Sequence, residues 1–150
     1  MQLLPRFSAD AIDLDLAANS KEDVLAAMVA LLRVDEESSD VLRRMLQRRE
    51  QLGSTGVGRG IAIPHCRSLV VPQLRMAYGR IPGGLNYDAI DGKPVHHVFL
   101  IVAPPVEVSN DYLPVLGRLA QFAKDPEVPE RLAALTSPAE FFTLLESKGS

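Results

Sequence analysis

Cysteine is almost absent from this 150-residue chain, where Cys66 stands alone. One thiol rules out an intramolecular disulfide framework and a CxxC zinc site, and it is what a reducing cytoplasm leads one to expect. Long apolar runs are missing as well. No stretch reaches the roughly 18 apolar residues of a transmembrane helix, so no membrane insertion is expected. The opening MQLLPRFSADAIDLDLA lacks the basic n-region and apolar h-region of a signal peptide and reads as a short lead-in strand or arm. Positive charge is not in excess either. A net charge of −3 and a pI near 5.6 leave no overall electrostatic footprint for nucleic acid.

What is present is ordinary for a globular protein: 47% apolar and 23% charged residues, which argues against disorder. A chain of this length buries roughly 68–70% of its unfolded surface, so it needs no disulfide or metal to hold it together. One domain over 1–150 is expected, with its core at about 5–147.

Charge is unevenly distributed along the chain. Residues 1–40 hold nine of the 19 acids, whereas 43–80 hold eight arginines, a single acid, Glu50, and the first histidine, His65. An arginine-rich zone around one histidine suits an anion, phosphate above all. The plainer reading makes Arg43, Arg44 and Arg48 the solvated face of a helix, and it applies less well to Arg49.

Apolar spacing predicts a helix over 20–34, capped by Ser20, and a second over 40–52, capped from Ser38, Ser39 or Asp40 and stopped by Gly53 in a left-handed conformation. Strands are expected over 61–65, ended by Pro64, over 74–81, and over 95–104. The last is apolar on both faces and therefore central. Turn-rich sequence fills 82–94. Helices follow from Asn110 or Asp111 to Ala123, over 128–135, and over 138–147, the last with Ser137 as cap and Pro138 at its first position, before a frayed tail. Helices alternating with strands, joined by long turn-rich connections, predict an α/β fold: a mixed five-stranded sheet sandwiched between helices (α/β/α) in a single domain.

The glycine-rich segment GSTGVGRG, residues 53–60, is not a nucleotide loop of a known kind. Arg59 and Gly60 stand where a Walker A loop needs Lys and a hydroxyl, and the segment follows a helix and precedes a strand, the reverse of the Rossmann order. GxSxG and HExxH are absent. Cys66 adjoins His65, but neighbours on a strand point to opposite faces, and the same holds for His96 and His97. No acidic cluster accompanies the histidines, so no metal is expected, and His96 and His97 read as hydrogen-bonded core or sheet-surface residues.

His65 has a more suggestive setting. A lone histidine is usually structural, yet this one ends an apolar strand, follows a rigid proline, and lies beside the glycine-rich loop and Arg67. A phosphoryl-accepting imidazole needs a neutral ring with a lone pair on one nitrogen and a hydrogen bond on the other to fix the tautomer. It also needs cationic or N–H donors for the phosphoryl oxygens, because phosphoryl transfer is mostly positioning and charge stabilisation. Arg67, the loop glycines and the hydroxyls of Ser54 and Thr55 are candidates.

The segment RREQLGSTGVGRGIAIPHCRS, residues 48–68, resembles the signature of the type-2 enzyme IIA domain of the bacterial phosphotransferase system, the fructose/mannitol group that includes a nitrogen-regulatory member. YDAIDGKPVHHVFLIVAP, residues 87–104, is similar to a second family stretch, and the resemblance covers about 20–147. It implies an α/β sandwich and a phosphocarrier in which a small histidine-phosphorylated carrier protein (HPr- or NPr-like) phosphorylates His65. Arg49 would lie near that histidine, and Ser54, Thr55 and Gly56 would form the adjoining loop. No cofactor is implied. The further partner would be a IIB domain or a regulated target protein.

Family members commonly carry a second histidine at the start of the helix after the VAP strand. Tyr112 stands at the matching position here, and its hydroxyl can donate a hydrogen bond but carries no positive charge at neutral pH. The absence of fused IIB and IIC domains and the form of GSTGVGRGIAIPH favour the nitrogen-regulatory type over sugar uptake. Two alternatives stand beside this expectation: a binding or regulatory module that has lost the relay, and a redox or metal protein built on Cys66.

Overall fold

The computed structural model describes residues 3–107 and 110–148. Of the frayed tail expected at 148–150, residues 149–150 lie outside them while Lys148 ends the last helix, and part of the loop before the third helix also lies outside. The chain builds β1 (Phe7–Asp13), α1 (Lys21–Ala30), α2 (Glu36–Gln51), β2 (Gly56–Gly58), β3 (Ile61–Ala62), β4 (His65–Arg67), β5 (Arg75–Leu85), β6 (Val95–Ala103), α3 (Tyr112–Lys124), α4 (Val128–Ala133) and α5 (Pro138–Lys148). Among the described residues no helix is long and apolar enough to cross a membrane.

One mixed sheet runs β1-β5-β6-β3-β2, with β4 also paired to β6. Pairing is parallel between β1 and β5 and between β6 and both β3 and β4, and antiparallel between β5 and β6 and between β2 and β3. Among the described residues the sheet therefore has six strands, not five. The extra pieces come from Pro64 and from the glycine loop. Pro64 has no N–H for the ladder, so the expected single strand at 61–65 breaks and resumes as β4. The break keeps register: Ile61 pairs with His97, and His65 with Ile101. Gly56–Gly58 folds back on β3 through Arg59 and Gly60, whose φ values of 59° and 78° make the turn.

Alternation on β6 sorts the core into two layers. Val98, Leu100 and Val102 face Val24, Leu25 and Met28 of α1 and Leu42 and Leu46 of α2. Phe99, Ile101 and Ala103 face Val115, Leu119 and Phe122 of α3 and Phe141 and Leu144 of α5. This is the helix–sheet–helix sandwich that the two-sided apolar run predicted.

Three element limits differ from expectation. α2 starts earlier, at Glu36, because Asp35 rather than Ser38–Asp40 caps it, its Oδ1 accepting from Ser38 N at 2.7 Å. α1 ends at Ala30 rather than at 34, whereas Gly53 follows α2 with the positive φ, 151°, expected of its place after the helix. β5 continues through Pro82 and the two glycines to Leu85, with a shift of register after Arg80, where turn residues alone were expected.

Candidate functional site

Register decides which side chains meet. His65 and Arg67 pair with Ile101 and Ala103, so both project toward α3, while Cys66 pairs with Val102 and points at α1 and α2. Tyr112, the first residue of α3, receives them. Its ring lies 5.9 Å from the His65 ring, centroid to centroid, and the Arg67 guanidinium sits 4.5 Å over its face. That is within cation–π range. Arg67 Nη1 donates to the Pro104 carbonyl at 2.9 Å, which holds the guanidinium in place. Arg49 comes from the last turn of α2 and donates from Nη1 to the Gly53 carbonyl at 2.8 Å, and its charge reaches Tyr112.

The half-buried His65 ring has a fixed proton. Its Nδ1 is 2.7 Å from the Ile63 carbonyl oxygen. A carbonyl only accepts, so Nδ1 carries the hydrogen and Nε2 keeps a lone pair. Burial pushes the Tyr112 hydroxyl up to about 12 against the opposing pull of Arg67 and Arg49, so at neutral pH it is a neutral donor. Burial also pushes the Cys66 thiol up to about 12. A thiol held protonated on the far face is a poor nucleophile or ligand, which removes the support for a redox or metal centre there. Among the described residues no three His, Cys, Asp or Glu side chains come together as metal ligands.

The loop hydroxyls point elsewhere. Thr55 is 3% exposed, and its Oγ1 is hydrogen-bonded to Glu50 and lies 3.1 Å from Tyr87 Oη. Ser54 Oγ accepts from Gly56 N and donates to the Tyr87 carbonyl, both at 3.0 Å. Gly56 is packed so closely on the 89–91 turn that a Cβ would stand 2.7 Å from Ala89 Cβ. These three residues therefore shape the loop around the site. The structure brings together His65, Arg67 and Tyr112, with Arg49 held on the Gly53 carbonyl where its charge bears on Tyr112, and gives the hydroxyls of Ser54 and Thr55 internal partners.

His97 is nowhere near this cluster. It pairs with Ile61, four positions from the partner of His65, or about 13 Å along the strand. Buried there, it accepts from Tyr78 Oη at its Nδ1, 2.8 Å away, and bonds the Pro129 carbonyl. A groove of about 410 Å³ opens at that end beside Arg59, Arg80 and His96, but both arginines already donate to main-chain carbonyls.

Sequence reasoning passed over Glu50. It is buried, and it accepts from Thr55 N, Thr55 Oγ1, Tyr87 Oη at 3.0 Å and Lys21 Nζ at 3.1 Å. The available signal was its isolation as the one acid in an arginine-rich stretch.

Comparison with known proteins decides the family. Residues 6–148 match the phosphoenolpyruvate-dependent sugar phosphotransferase system, EIIA 2. The chain belongs to this EIIA 2 family. It is 32% identical over 134 residues to the fructose-specific EIIABC component of Bacillus subtilis, covering 88% of this chain but only 21% of that larger protein. It is 31% identical to a nitrogen regulatory protein of Bradyrhizobium diazoefficiens, covering 87% of this chain and 85% of the relative. Among solved structures, the nitrogen regulatory protein IIA-Ntr of Neisseria meningitidis superposes with a TM-score of 0.86 at 32% identity, over 95% of this chain and 97% of the other. The mannitol IIA of Escherichia coli superposes with a TM-score of 0.73 at 25% identity, over 92% and 97%. This EIIA 2 domain thus shares its mixed sheet between helices with phosphotransfer components of that system.

Proposed function

We propose that this EIIA 2 domain accepts a phosphoryl group on His65 Nε2 from a histidine-phosphorylated carrier protein. The observation that carries the reading is the bond from Nδ1 to the Ile63 carbonyl, which leaves Nε2 as the nucleophile. As the bond from phosphorus to His65 Nε2 forms, the P–N bond of the carrier breaks and the carrier's imidazole leaves with the electron pair. The phosphorylated ring becomes cationic, and the Ile63 carbonyl faces the N–H that shares this charge. Arg49 and Arg67 offset the charge of the phosphoryl oxygens, and the Tyr112 hydroxyl donates to one of them.

A partner has an apolar surface to dock on. Leu52, Leu69, Val106 and Leu113 are exposed and lie in the segments that carry Arg49, His65, Arg67 and Tyr112. Such transient contacts are small. The two nitrogen-regulatory comparisons, with the closer superposition on the Neisseria protein, support a signalling role in the cytoplasm over sugar uptake. In that role the phosphoryl group reports to a regulated target rather than passing to the cysteine of a IIB domain.

One observation favours a second reading. Tyr112 cannot supply the charge of a second histidine, which suits a module that binds partners without relaying. Incubation with phosphoenolpyruvate, enzyme I and the carrier protein separates the two. The phosphocarrier gains the mass of one phosphoryl group, and His65→Ala does not. No gain under conditions that label a known family member leaves the binding module.

A further inference from the structure

Thr55 and Ile63 face each other in the antiparallel register that β2 and β3 set, in which Gly56 pairs with Ala62. Such a pair ordinarily exchanges two hydrogen bonds, each N–H donating to the opposite carbonyl. Only one forms here: Ile63 N donates to the Thr55 carbonyl at 2.9 Å. The Thr55 N–H turns instead to the Glu50 carboxylate, 3.2 Å from each oxygen. That diversion leaves the Ile63 carbonyl open, and His65 Nδ1 occupies it.

We infer that Glu50 is a positioning residue for His65: by holding the Thr55 N–H, it reserves the Ile63 carbonyl for the imidazole and so selects the tautomer with its lone pair on Nε2. The two donors address one oxygen, and an acceptor shared with the Thr55 N–H holds the imidazole less firmly than one reserved for it. Glu50 is anchored for the task by Lys21, Tyr87 and the Thr55 hydroxyl. Lys21 Nζ also stands 4.6 Å over the Tyr87 ring, which ties α1 into the same cluster. Without the carboxylate, Thr55 N–H swings back to close the regular pair, and the tether of His65 weakens. The value of the tether rests on the phosphocarrier reading, but the tautomer itself does not.

The test reads the tautomer directly, by long-range ¹H–¹⁵N correlation of the histidine rings at a pH where they are neutral. The wild type is expected to show His65 with the proton on Nδ1. In Glu50→Gln one amide oxygen replaces two acceptors for Thr55 N, Thr55 Oγ1, Tyr87 Oη and Lys21, and the share of the other tautomer rises by up to about fivefold, the factor that one net hydrogen bond is worth. Thr55→Val, which removes the hydroxyl that steadies Glu50 while keeping side-chain volume, shifts the ratio the same way, and Thr55→Ser restores it. His97, whose Nδ1 accepts from Tyr78, has the opposite tautomer and reports in the same spectrum that each variant is folded. Wild-type ratios at His65 in both Glu50→Gln and Thr55→Val, with the His97 signals in place, would overturn the inference. Failure of the wild type to take up phosphoryl would overturn the phosphocarrier reading and leave the tautomer result standing.

Discussion

Acidification from about pH 7.5 to about pH 5 should cost the fold about 2 kcal/mol through His97 alone. Its ring is 3% exposed, and burial is the main reason its pKa falls from 6.5 to about 4, with the charges of His96 and Arg80 adding to the effect. Tyr78 donates to Nδ1, so protonation there forces this bond between β5 and β6 to reverse, with Nδ1–H donating to Oη, while the bond to the Pro129 carbonyl favours the charged ring and limits the fall. Between the two pKa values the unfolded chain binds a proton that the folded chain does not. Stability is therefore full above about pH 6.5, declines as the pH drops, and has lost roughly 3 kcal/mol below about pH 4. Urea unfolding at the two pH values measures the difference. His97→Gln retains a donor and an acceptor but no titration, and should lose less than half as much. The carboxylates held low by hydrogen bonds, such as Asp35 by the Ser38 N–H and Asp125 by Lys148, titrate beneath this window. Equal wild-type stability at the two pH values, or the same slope in His97→Gln, would refute the reasoning.

Gly56→Ala forces a methyl group against Ala89 and should destabilise by about 1–3 kcal/mol in urea unfolding; an unchanged midpoint would show that the 89–91 turn yields freely. Arg49→Ala should slow phosphoryl uptake on His65 by the equivalent of about 2.7–4 kcal/mol in rapid-quench labelling, and a wild-type rate removes Arg49 from the site. Tyr112→His should speed that uptake if this position is the one that matters for charge; no change counts against the correspondence.

The layered architecture was legible because β6 is apolar on both faces and the first two helices show apolar residues at helical spacing. The strand count was not, because it turned on Pro64, which interrupts a ladder while preserving its register, and on three glycine-loop residues that pair only once the turn at Arg59 and Gly60 has formed. Of the site, His65 and Arg67 were readable as neighbours in sequence, but the expected strand stopped at 65, and only the pairing of β4 puts both side chains on one face. Their meeting with Tyr112 depends on where α3 packs, which no local pattern encodes. The loop hydroxyls have partners that no local pattern announces. Ser54 and Thr55 look like phosphate donors in a glycine-rich string, but a buried carboxylate and a buried Tyr87 compete for them and prevail. Glu50 itself was visible only as an oddity of composition.

The source of positive charge follows from this arrangement. A second histidine beside His65 would supply a charge that titrates near neutral pH, and it would repel the imidazolium that phosphorylation creates. Arg67 instead keeps its charge at every physiological pH, and two contacts fix its place: the Pro104 carbonyl and the Tyr112 ring. Tyr112 is then the platform on which a permanent cation rests, and its hydroxyl adds a neutral donor. On the proposed reading, the second cation of the site, Arg49, is also a guanidinium. On that reading the phosphoryl group is held by two guanidinium charges rather than by a titrating neighbour, which suits a domain whose phosphorylation state carries information better than one whose transfer rate is tuned by pH.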